Sequence, residues 1–320
     1  SIMPIVVNSN ASATTASFNL SRANDALRKS LGRLSSGNRI NTPADDAGGL
    51  AVAYKLNSKA NRTSAILQNS QNALSYLQVQ DSGLQTAGKI VDRMSELRVM
   101  AQDITKNTQD IENYSKEFVE LQSQLNQVSK EKFNGISLFA TSTVTAVGSL
   151  ETSTASFGSL SYNTASRTLI THDSGVSTSG SIKLNVVNFQ FMLSIGTTTS
   201  GGSGIDLGNI NAGTAGGSEL NSSGFISDIT EVNVSQFTNI IERIADMRAE
   251  NGAEQNRVLN SIDLLQTNLS NIEAAHGRIM DTDIALESTR FARHNILVQA
   301  SAAMTAQANQ LTNVALQLIG

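Results

Sequence analysis

Both ends of the chain are patterned for long α-helices, because apolar residues recur every seven positions with polar residues between them. In the first part the rows are Leu20, Leu27 and Leu34, then Leu67 and Leu74, then Leu77, Leu84 and Val91. In the last part the rows are Val258, Ile262, Leu265, Leu269 and Ile272, then Leu297, Met304, Leu311 and Leu318. The pattern predicts long helices from both ends that pair as antiparallel coiled coils.

The longest predicted helix begins at Thr42. Thr42 can cap a helix, Pro43 suits the first helical position, and apolar rows continue to about Thr105. A helix of about 60 residues is about 90 Å long, so it needs another long helix beside it to cover its apolar stripe. Each stripe alone also fits an ordinary bundle helix, but several stripes without an intervening proline favour an extended coiled coil.

Two further segments supply helices to pair with this one. Residues 111–128 carry apolar side chains at steps of three and four, and Asn134-Gly135 predicts a turn after them. A later helix is predicted to begin with Ser235 as its cap and to end at Gly277, before a final helix. Three successive seam positions of the later helix are polar: Arg248, Asn251 and Gln255. Polar seam residues cost stability but fix the register of paired helices.

The middle of the chain is patterned for β-strands and is rich in glycine, serine and threonine. Apolar residues alternate on one parity over 182–186 and on the other over 187–195, which predicts strands with a bulge or tight reversal between them. Residues 168–171 are a second strand candidate, and the glycine runs at 201–204 and 213–217 are predicted loops. We expect a small, exposed β-rich domain here.

Composition and charge exclude several classes of function. The 320 residues include no cysteine and carry a formal net charge of −4. The lack of cysteine excludes disulfides, thiolate metal sites and cysteine nucleophiles, and the mild charge argues against a nucleic-acid partner. The sequence contains no run of about 18 apolar residues, which is the length that a membrane-spanning helix needs. Residues 2–7 are too short and uncharged for a cleaved signal peptide.

Chemically active residues do not have the spacing of a catalytic or metal site. His172, His276 and His294 lie in different predicted elements, and none has a second histidine at ligand spacing. Asp45-Asp46 is a pair of adjacent carboxylates, which do not share a helix face and are better explained by the favourable charge at a helix N-terminus. We therefore expect no enzymatic activity, no cofactor and no metal.

Short motifs near both ends are more specific than the periodicity. The amino-terminal motifs are residues 34–41 (LSSGNRIN) and 45–51 (DDAGGLA). The carboxy-terminal motifs are residues 252–257 (GAEQNR), 268–270 (NLS), 278–283 (RIMDTD), 296–297 (IL) and 306–310 (AQANQ). Together they resemble the signatures of the bacterial flagellins, over about residues 1–139 and 235–320. The chain departs from that pattern at Gly48, where alanine is usual, at Asn251, where an apolar residue is usual, and at its non-basic last residue.

The resemblance implies a mainly α fold with an inserted β-rich domain, in which long helices from both termini form layered core domains. The inner layer is expected from residues 1–40 with 278–320, and the outer layer from 41–139 with 235–277. Residues 140–234 would form the variable, surface-exposed domain. The terminal helices carry thin apolar stripes, so we expect residues 1–35 and 284–320 to be disordered in the monomer and to fold on assembly.

The function implied is that of a structural subunit of the flagellar filament, which self-assembles into a helical tube used for swimming. The implied partners are other copies of the chain, an export chaperone and the flagellar export apparatus, and the hook-junction and filament-cap proteins. The implied location is the extracellular filament, reached without a cleaved signal peptide. Alternatives are a hook–filament junction protein, which shares the terminal signatures, an enzyme-bearing flagellin, and a free adhesin that uses the β-rich middle.

Two sets of site residues follow from the pattern and the resemblance. The seam positions expected to pack subunits together are Leu20, Leu27, Leu34, Leu297, Met304, Leu311 and Leu318. The resemblance also implies recognition by a host Toll-like receptor, with Arg93, Leu97 and Glu117 as the candidate contacts. The alternative for these three residues is that they serve only subunit packing.

Overall fold

The computed structural model describes residues 9–140, 150–157, 160–195, 205–206 and 226–319. The glycine runs predicted as loops at 201–204 and 213–217, and residues 2–7, lie outside the described residues. The chain divides into two units, one made of Ser1–Asn61 and Leu269–Gly320 and the other of Arg62–Asn268. None of the described helices is long and apolar enough to cross a membrane.

Six α-helices dominate the described residues, which confirms the prediction of a mainly α fold with a β-rich insert. In chain order they are α1 (Ala11–Ser36), α2 (Ala47–Met100), α3 (Thr108–Ser129), α4 (Phe189–Leu193), α5 (Val234–Met280) and α6 (Ile284–Ile319). A 3₁₀ turn at Ile229–Glu231 precedes α5.

Three predicted helix boundaries are wrong. The cap of α2 is Asp46 instead of Thr42, because the Asp46 carboxylate accepts from the Gly49 N–H at 2.8 Å while residues 42–45 form a turn. Ser235 lies inside α5, which begins one residue earlier. Gly277 also lies inside α5, because one helical glycine costs only about 1 kcal/mol and does not end a helix held by its neighbours.

The first unit contains α1 and α6. The Asn10 side chain caps α1 by accepting from the Ala13 N–H at 3.0 Å, and Gly37 ends the helix with a φ of +71°. Asp283 caps α6 by accepting from the Leu286 N–H at 3.1 Å. The caps at Gly37 and Asp283 place the end of α1 and the start of α6 within flagellin-like motifs.

The second unit packs its parts of α2 and α5 with α3 around one apolar core. Leu84, Val91 and Leu125 are fully buried there, which places the predicted seams inside the core. Phe118 of α3 and Phe237 of α5 meet edge to face with ring centroids 6.2 Å apart. The three helical segments therefore share one core.

A four-stranded sheet belongs to the same unit. Its strand order is β3 (Phe139–Ala140), β6 (Ser181–Asn188), β5 (Leu160–Ile170), β4 (Glu151–Phe157), and only the β3–β6 pair is parallel. The hairpin of β1 (Lys132–Phe133) and β2 (Ile136–Ser137) turns through Asn134 and Gly135 at φ values of +50° and +77°, as the Asn-Gly pair predicts.

The prediction of a strand over 187–195 is largely wrong. The strand β6 ends at Asn188, and residues 189–193 form α4, whose start is capped by the Asn188 side chain. All five residues of α4 are buried, so burial on every side replaces the alternation of a half-exposed strand. A short pair of strands, β7 (Ser194–Ile195) and β8 (Ile205–Asp206), follows.

Candidate functional site

The helices α1 and α6 form a seam built mainly from small and polar side chains. On α6 the residues facing inward recur at steps of three and four, and they are Glu287, Phe291, His294, Val298, Ser301, Thr305, Ala308, Thr312 and Ala315. On α1 the matching residues are Ala13, Ala16, Leu20, Ala23, Leu27, Ser30 and Leu34. His294 thus occupies a half-buried seam position. Of the apolar residues in these two sets, only Ala308 and Ala315 are fully buried, so burial of apolar surface in the seam contributes little stability by itself.

The predicted packing residues fall into two groups in this structure. Leu20, Leu27 and Leu34 lie half-buried in the seam. The four α6 residues lie outside it, with exposed fractions of 45% for Leu297, 64% for Met304, 58% for Leu311 and 77% for Leu318. Spaced by seven, these four form one row along the flank of the seam, which we call the α6 ridge. A row of large exposed apolar side chains is typical of a surface that is covered by another protein.

Two hydrogen bonds fix the register of the α1–α6 pair. The Ser30 hydroxyl donates to the Glu287 carboxylate at 2.6 Å, and both residues are buried. The Asn10 side-chain amide donates to the Ala308 carbonyl at 2.8 Å. Shifting the register would leave the buried Glu287 carboxylate without its hydroxyl donor, which is costly for a buried charge.

The segment after α1 binds the segment before α6 through backbone atoms. The Arg39 N–H donates to the Met280 carbonyl at 2.6 Å, and the Thr282 N–H donates to the Gly37 carbonyl at 2.9 Å. The Arg39 guanidinium also donates to the Ile279 carbonyl at 2.8 Å. Two of the flagellin-like motifs therefore meet here, and we call this contact of residues 37–39 with 279–282 the terminal joint.

An ion pair supports the turn that follows the terminal joint. The Lys29 ammonium lies 2.7 Å from the Asp45 carboxylate, which also accepts from the Asn41 and Thr42 N–H groups at 3.2 Å. The bond from Lys29 and these backbone donors lower the pKa of Asp45 to about 2. Asp45 therefore shapes the turn, while the adjacent Asp46 caps α2.

A closed polar network crosses the core of the second unit at the predicted polar seam. The buried Asn251 amide donates to the Leu77 carbonyl at 3.1 Å and to the Gln80 side-chain oxygen at 2.8 Å, and it accepts from Gln255. Gln80 in turn donates to the Leu138 carbonyl at 2.8 Å. At the third polar position, Arg248 pairs with Asp81 at 2.8 Å. The network ties α2 to α5 in one register.

The candidate receptor residues are only partly on the surface. Arg93 pairs with Glu117 at 2.8 Å and with Glu96 at 3.0 Å, and these three side chains are exposed. The two carboxylates raise the pKa of Arg93, so it stays charged. Leu97 is fully buried in the core and does not present a surface for a receptor. Its side chain supports the helix beneath Arg93 instead.

Residues with metal-binding or catalytic chemistry are not brought together in the described parts of the chain. No group of three or more histidine, aspartate or glutamate residues there could hold a metal ion. His172 contacts Ser174 at 2.9 Å and Asp173 at 3.4 Å, but all three are neighbours in one turn and meet at the same ring nitrogen. That arrangement is a turn motif and differs from a nucleophile–base–acid chain, in which the base uses both nitrogens.

Sequence reasoning missed one buried cation in the second unit. Arg243 of α5 is 6% exposed and donates to the Phe191 carbonyl at 3.2 Å and to the Ser194 carbonyl at 2.6 Å. Its guanidinium also lies 5.4 Å from the centre of the Phe191 ring. The arginine thereby satisfies the carbonyls at the end of α4, and burial lowers its pKa from the ordinary value. Its position gave a signal, because Arg243 lies three residues after Ile240 and four before Met247, both of which are buried apolar residues of α5.

Comparisons with known proteins agree with the terminal motifs. Residues 7–143 match the family model of the bacterial flagellin N-terminal helical region, and residues 234–319 match that of the C-terminal helical region. Flagellin FlaB2 of Treponema pallidum is 30% identical over 98% of this chain and 100% of its own length. The flagellar filament 33 kDa core protein of Treponema phagedenis is 29% identical over 98% and 100%. The flagellin of Bacillus subtilis is 29% identical over 98% and 99%.

Proposed function

The chain belongs to the bacterial flagellin family as a structural subunit of the flagellar filament, and we propose that its α6 ridge carries contacts between subunits. The observation behind this proposal is that two faces of α6 carry different kinds of side chain. Mainly small and polar residues face α1 inside the subunit, while Leu297, Met304, Leu311 and Leu318 are left exposed. In a self-assembling chain the ridge is covered by a second copy, and burying it supplies much of the free energy of assembly.

The variant Leu311→Asp tests this proposal. A carboxylate at the centre of the ridge would have to be buried without a partner, so we expect seeded polymerisation to be abolished or slowed severely. Since Leu311 is exposed in the single chain, the variant should keep the far-UV circular dichroism of the parent protein. Gln310→Glu adds a similar charge at the next, exposed position on a different face of α6 and is the matched control.

Electron microscopy of both variants, seeded with filament fragments, reads the outcome. Filaments from Gln310→Glu and none from Leu311→Asp support the ridge as an interface. Normal filaments from Leu311→Asp would show that Leu311 is not buried on assembly. Leu20, Leu27 and Leu34 act differently in this proposal: they hold α1 on α6 and so present the ridge.

The layered division of the chain is also a proposal, in which 1–40 pairs with 278–320 and 41–139 pairs with 235–277. The terminal joint supports it, because residues 37–39 and 279–282 bind each other where α1 ends and α6 is about to begin. The polar network between Asn251 and Gln80 supports the second pairing. Residues 140–234 would remain as the outward domain of the filament.

The weak seam supports the proposal that the terminal helices become stable only on assembly. Residues 1–35 and 284–320 should be trimmed by limited proteolysis of dilute monomer and resist it in filaments. Before assembly, an export chaperone that covers the α6 ridge would keep the chain from associating, and the export apparatus would deliver it to the extracellular filament. Contacts with hook-junction and filament-cap proteins at the two filament ends, and the lack of enzymatic activity, belong to the same proposal.

Recognition by a host Toll-like receptor is proposed for the exposed Arg93–Glu117 pair alone. Both side chains lie on the surface of the second unit, and a charged pair of fixed geometry can be read by complementary polar groups. Arg93→Ala should reduce signalling by purified monomer in a receptor reporter assay. The control is Lys116→Ala, which removes an exposed cation on α3 that is also paired with a carboxylate. Equal signalling by the two variants would assign Arg93 to subunit packing.

A further inference from the structure

The strand β6 has one edge that is covered by helix side chains along part of its length. Residue Asn185 pairs with Ser166 of β5 on one side, while β3 pairs only with Val187 and Asn188 on the other. At Asn185 the helices take the place of the missing strand: the Glu254 carboxylate of α5 accepts its N–H at 2.9 Å, and the Gln80 amide of α2 donates to its carbonyl at 2.9 Å. These contacts protect an open strand edge.

Asn185 is also held through its side chain. Its amide donates to the Glu250 carboxylate at 3.1 Å, so two carboxylates one helical turn apart converge on one residue of the sheet. Glu250 lies at the exposed rim, whereas the second oxygen of Glu254, Oε2, is buried and has no hydrogen-bond partner among the residues that the structure describes. An ionised Glu254 would therefore keep a buried, unpaired oxygen next to a second negative charge.

The surroundings of Glu254 offset that charge only in part, because Arg257 favours the ionised form less than burial opposes it. The charged or titratable side chains around it are Glu250 and Arg257 on α5, Tyr76 on α2, Glu151 on β4, Tyr162 on β5 and Lys183 on β6. Lys183 is already paired with Glu151 at 2.8 Å. Arg167 of β5, which lies beside Tyr76, donates to the Ser137 carbonyl at 3.3 Å. A cavity of about 620 Å³ lies between the sheet and α5, and its charged or titratable lining residues are Glu151, Tyr162, Lys183, Glu250, Glu254 and Arg257.

We propose that Glu254 is a proton-dependent latch, which holds the β6 edge on α5 when its carboxyl group is protonated and weakens that attachment when the group ionises. Protonation removes the charge from the buried oxygen while the other oxygen still accepts the Asn185 N–H. Burial, ahead of every opposing influence, raises the pKa of Glu254 to about 7, so the latch responds near neutral pH.

The sign of the effect follows from the direction of this shift. Because the folded group holds its proton more tightly than the ordinary carboxyl of pKa 4.5, opening of the β6 edge becomes easier as pH rises from that value to about 7. Each unit of difference in pKa changes the opening equilibrium about tenfold. Between about pH 5.5 and pH 8.5 the opening of the edge should therefore increase by at least about tenfold.

Hydrogen exchange of the full chain tests the latch. The amides of residues 181–188 are compared between the parent protein and Glu254→Gln at each pH, because the ratio at one pH cancels the intrinsic effect of base on exchange. Glutamine keeps the acceptor for Asn185 and carries no charge, so the variant should stay protected at about pH 8.5, where the parent exchanges about tenfold faster. Glu242→Gln, at an exposed position of α5, should behave as the parent does.

An equal pH dependence in the parent and Glu254→Gln overturns the proposal. If a loss of far-UV circular dichroism showed that Glu254→Gln does not fold, hydrogen exchange of Glu250→Gln would test the latch instead. Removing the neighbouring charge lowers the cost of ionising Glu254, so that variant should show a smaller rise in exchange between the two pH values. An unchanged rise in Glu250→Gln would equally reject the latch.

Discussion

Breaking the polar network at Asn251 should lower the stability of the second unit. The variant Asn251→Ala removes an amide that is 2% exposed and that makes three hydrogen bonds, to the Leu77 carbonyl and to the Gln80 and Gln255 side chains. The Gln80 side-chain oxygen is left buried without its donor, while the Gln80 amide stays committed to the Leu138 and Asn185 carbonyls. Gln80 therefore cannot turn to find another partner without breaking those bonds.

The magnitude follows from these contacts. Each lost hydrogen bond between neutral groups contributes about 1 kcal/mol, and an orphaned buried acceptor costs about 1 to 3 kcal/mol. Gln255 is only partly buried and can bind water instead, so its bond is discounted. We expect the free energy of unfolding of the second unit to fall by about 3 kcal/mol.

Urea unfolding followed by near-UV circular dichroism measures this loss, because Tyr76 and Tyr162 are buried in the same unit. The control is Asn260→Ala, an exposed position on α5 in the same unit, which should change stability by less than about 0.5 kcal/mol. In a double-mutant cycle Gln80→Ala should couple to Asn251→Ala by about 1 kcal/mol or more. If Asn251→Ala were as stable as the control, or the two substitutions were additive, the network would not determine the pairing of α2 with α5.

Three further predictions concern other contacts. Gly135→Ala should lower thermal stability by about 1 kcal/mol, because φ is +77° there although the space around the position is open; unchanged melting would show that the hairpin adjusts. Arg243→Lys should cost about 2 kcal/mol in urea unfolding, since an ammonium cannot span both carbonyl acceptors of the guanidinium; a fully stable variant would contradict that role. The Asp45 carboxyl has a pKa of about 2 in the folded protein against an ordinary 3.8, so its ionised form stabilises the fold at neutral pH, and this contribution should be lost as pH falls through about 2. In Lys29→Met the pKa of Asp45 measured by NMR should rise. An unchanged pKa would show that Lys29 is not the cause of the lowered value.

The periodicity of the sequence predicted the helices well because it reports directly on burial. The rows through Leu84 and Val258 mark residues that are fully buried in the structure, and the polar break at Asn251 marks the buried network. The motifs between residues 34 and 51 and around 280 predicted the family, and the structure brings Gly37–Arg39 and Ile279–Thr282 into contact. The periodicity and the motifs thus agree with the structure where the spacing of residues along the chain decides which side chains are buried.

The failures occur where contacts distant in sequence decide the local structure. Residues 189–193 alternate like a strand, but complete burial makes them a short helix whose end is held by Arg243, about 50 residues away in sequence. Thr42 has the side chain of a cap, yet Asp45 binds its N–H and the cap passes to Asp46. For the row of Leu297, Met304, Leu311 and Leu318, heptad spacing predicts a packing face but does not tell whether α1 or another copy covers it, and in the single chain these residues are exposed.

The α1–α6 pair and the terminal joint connect residues that are more than 200 positions apart in the chain, with Ser30 bound to Glu287 and Arg39 to Met280. No shorter stretch of the chain contains both halves of either contact. A truncated copy therefore keeps α1 without its partner and lacks the α6 ridge as well. The same arrangement that builds the subunit thus acts as a test of completeness, since only a chain finished to its last helix can display the ridge through which we propose that copies join.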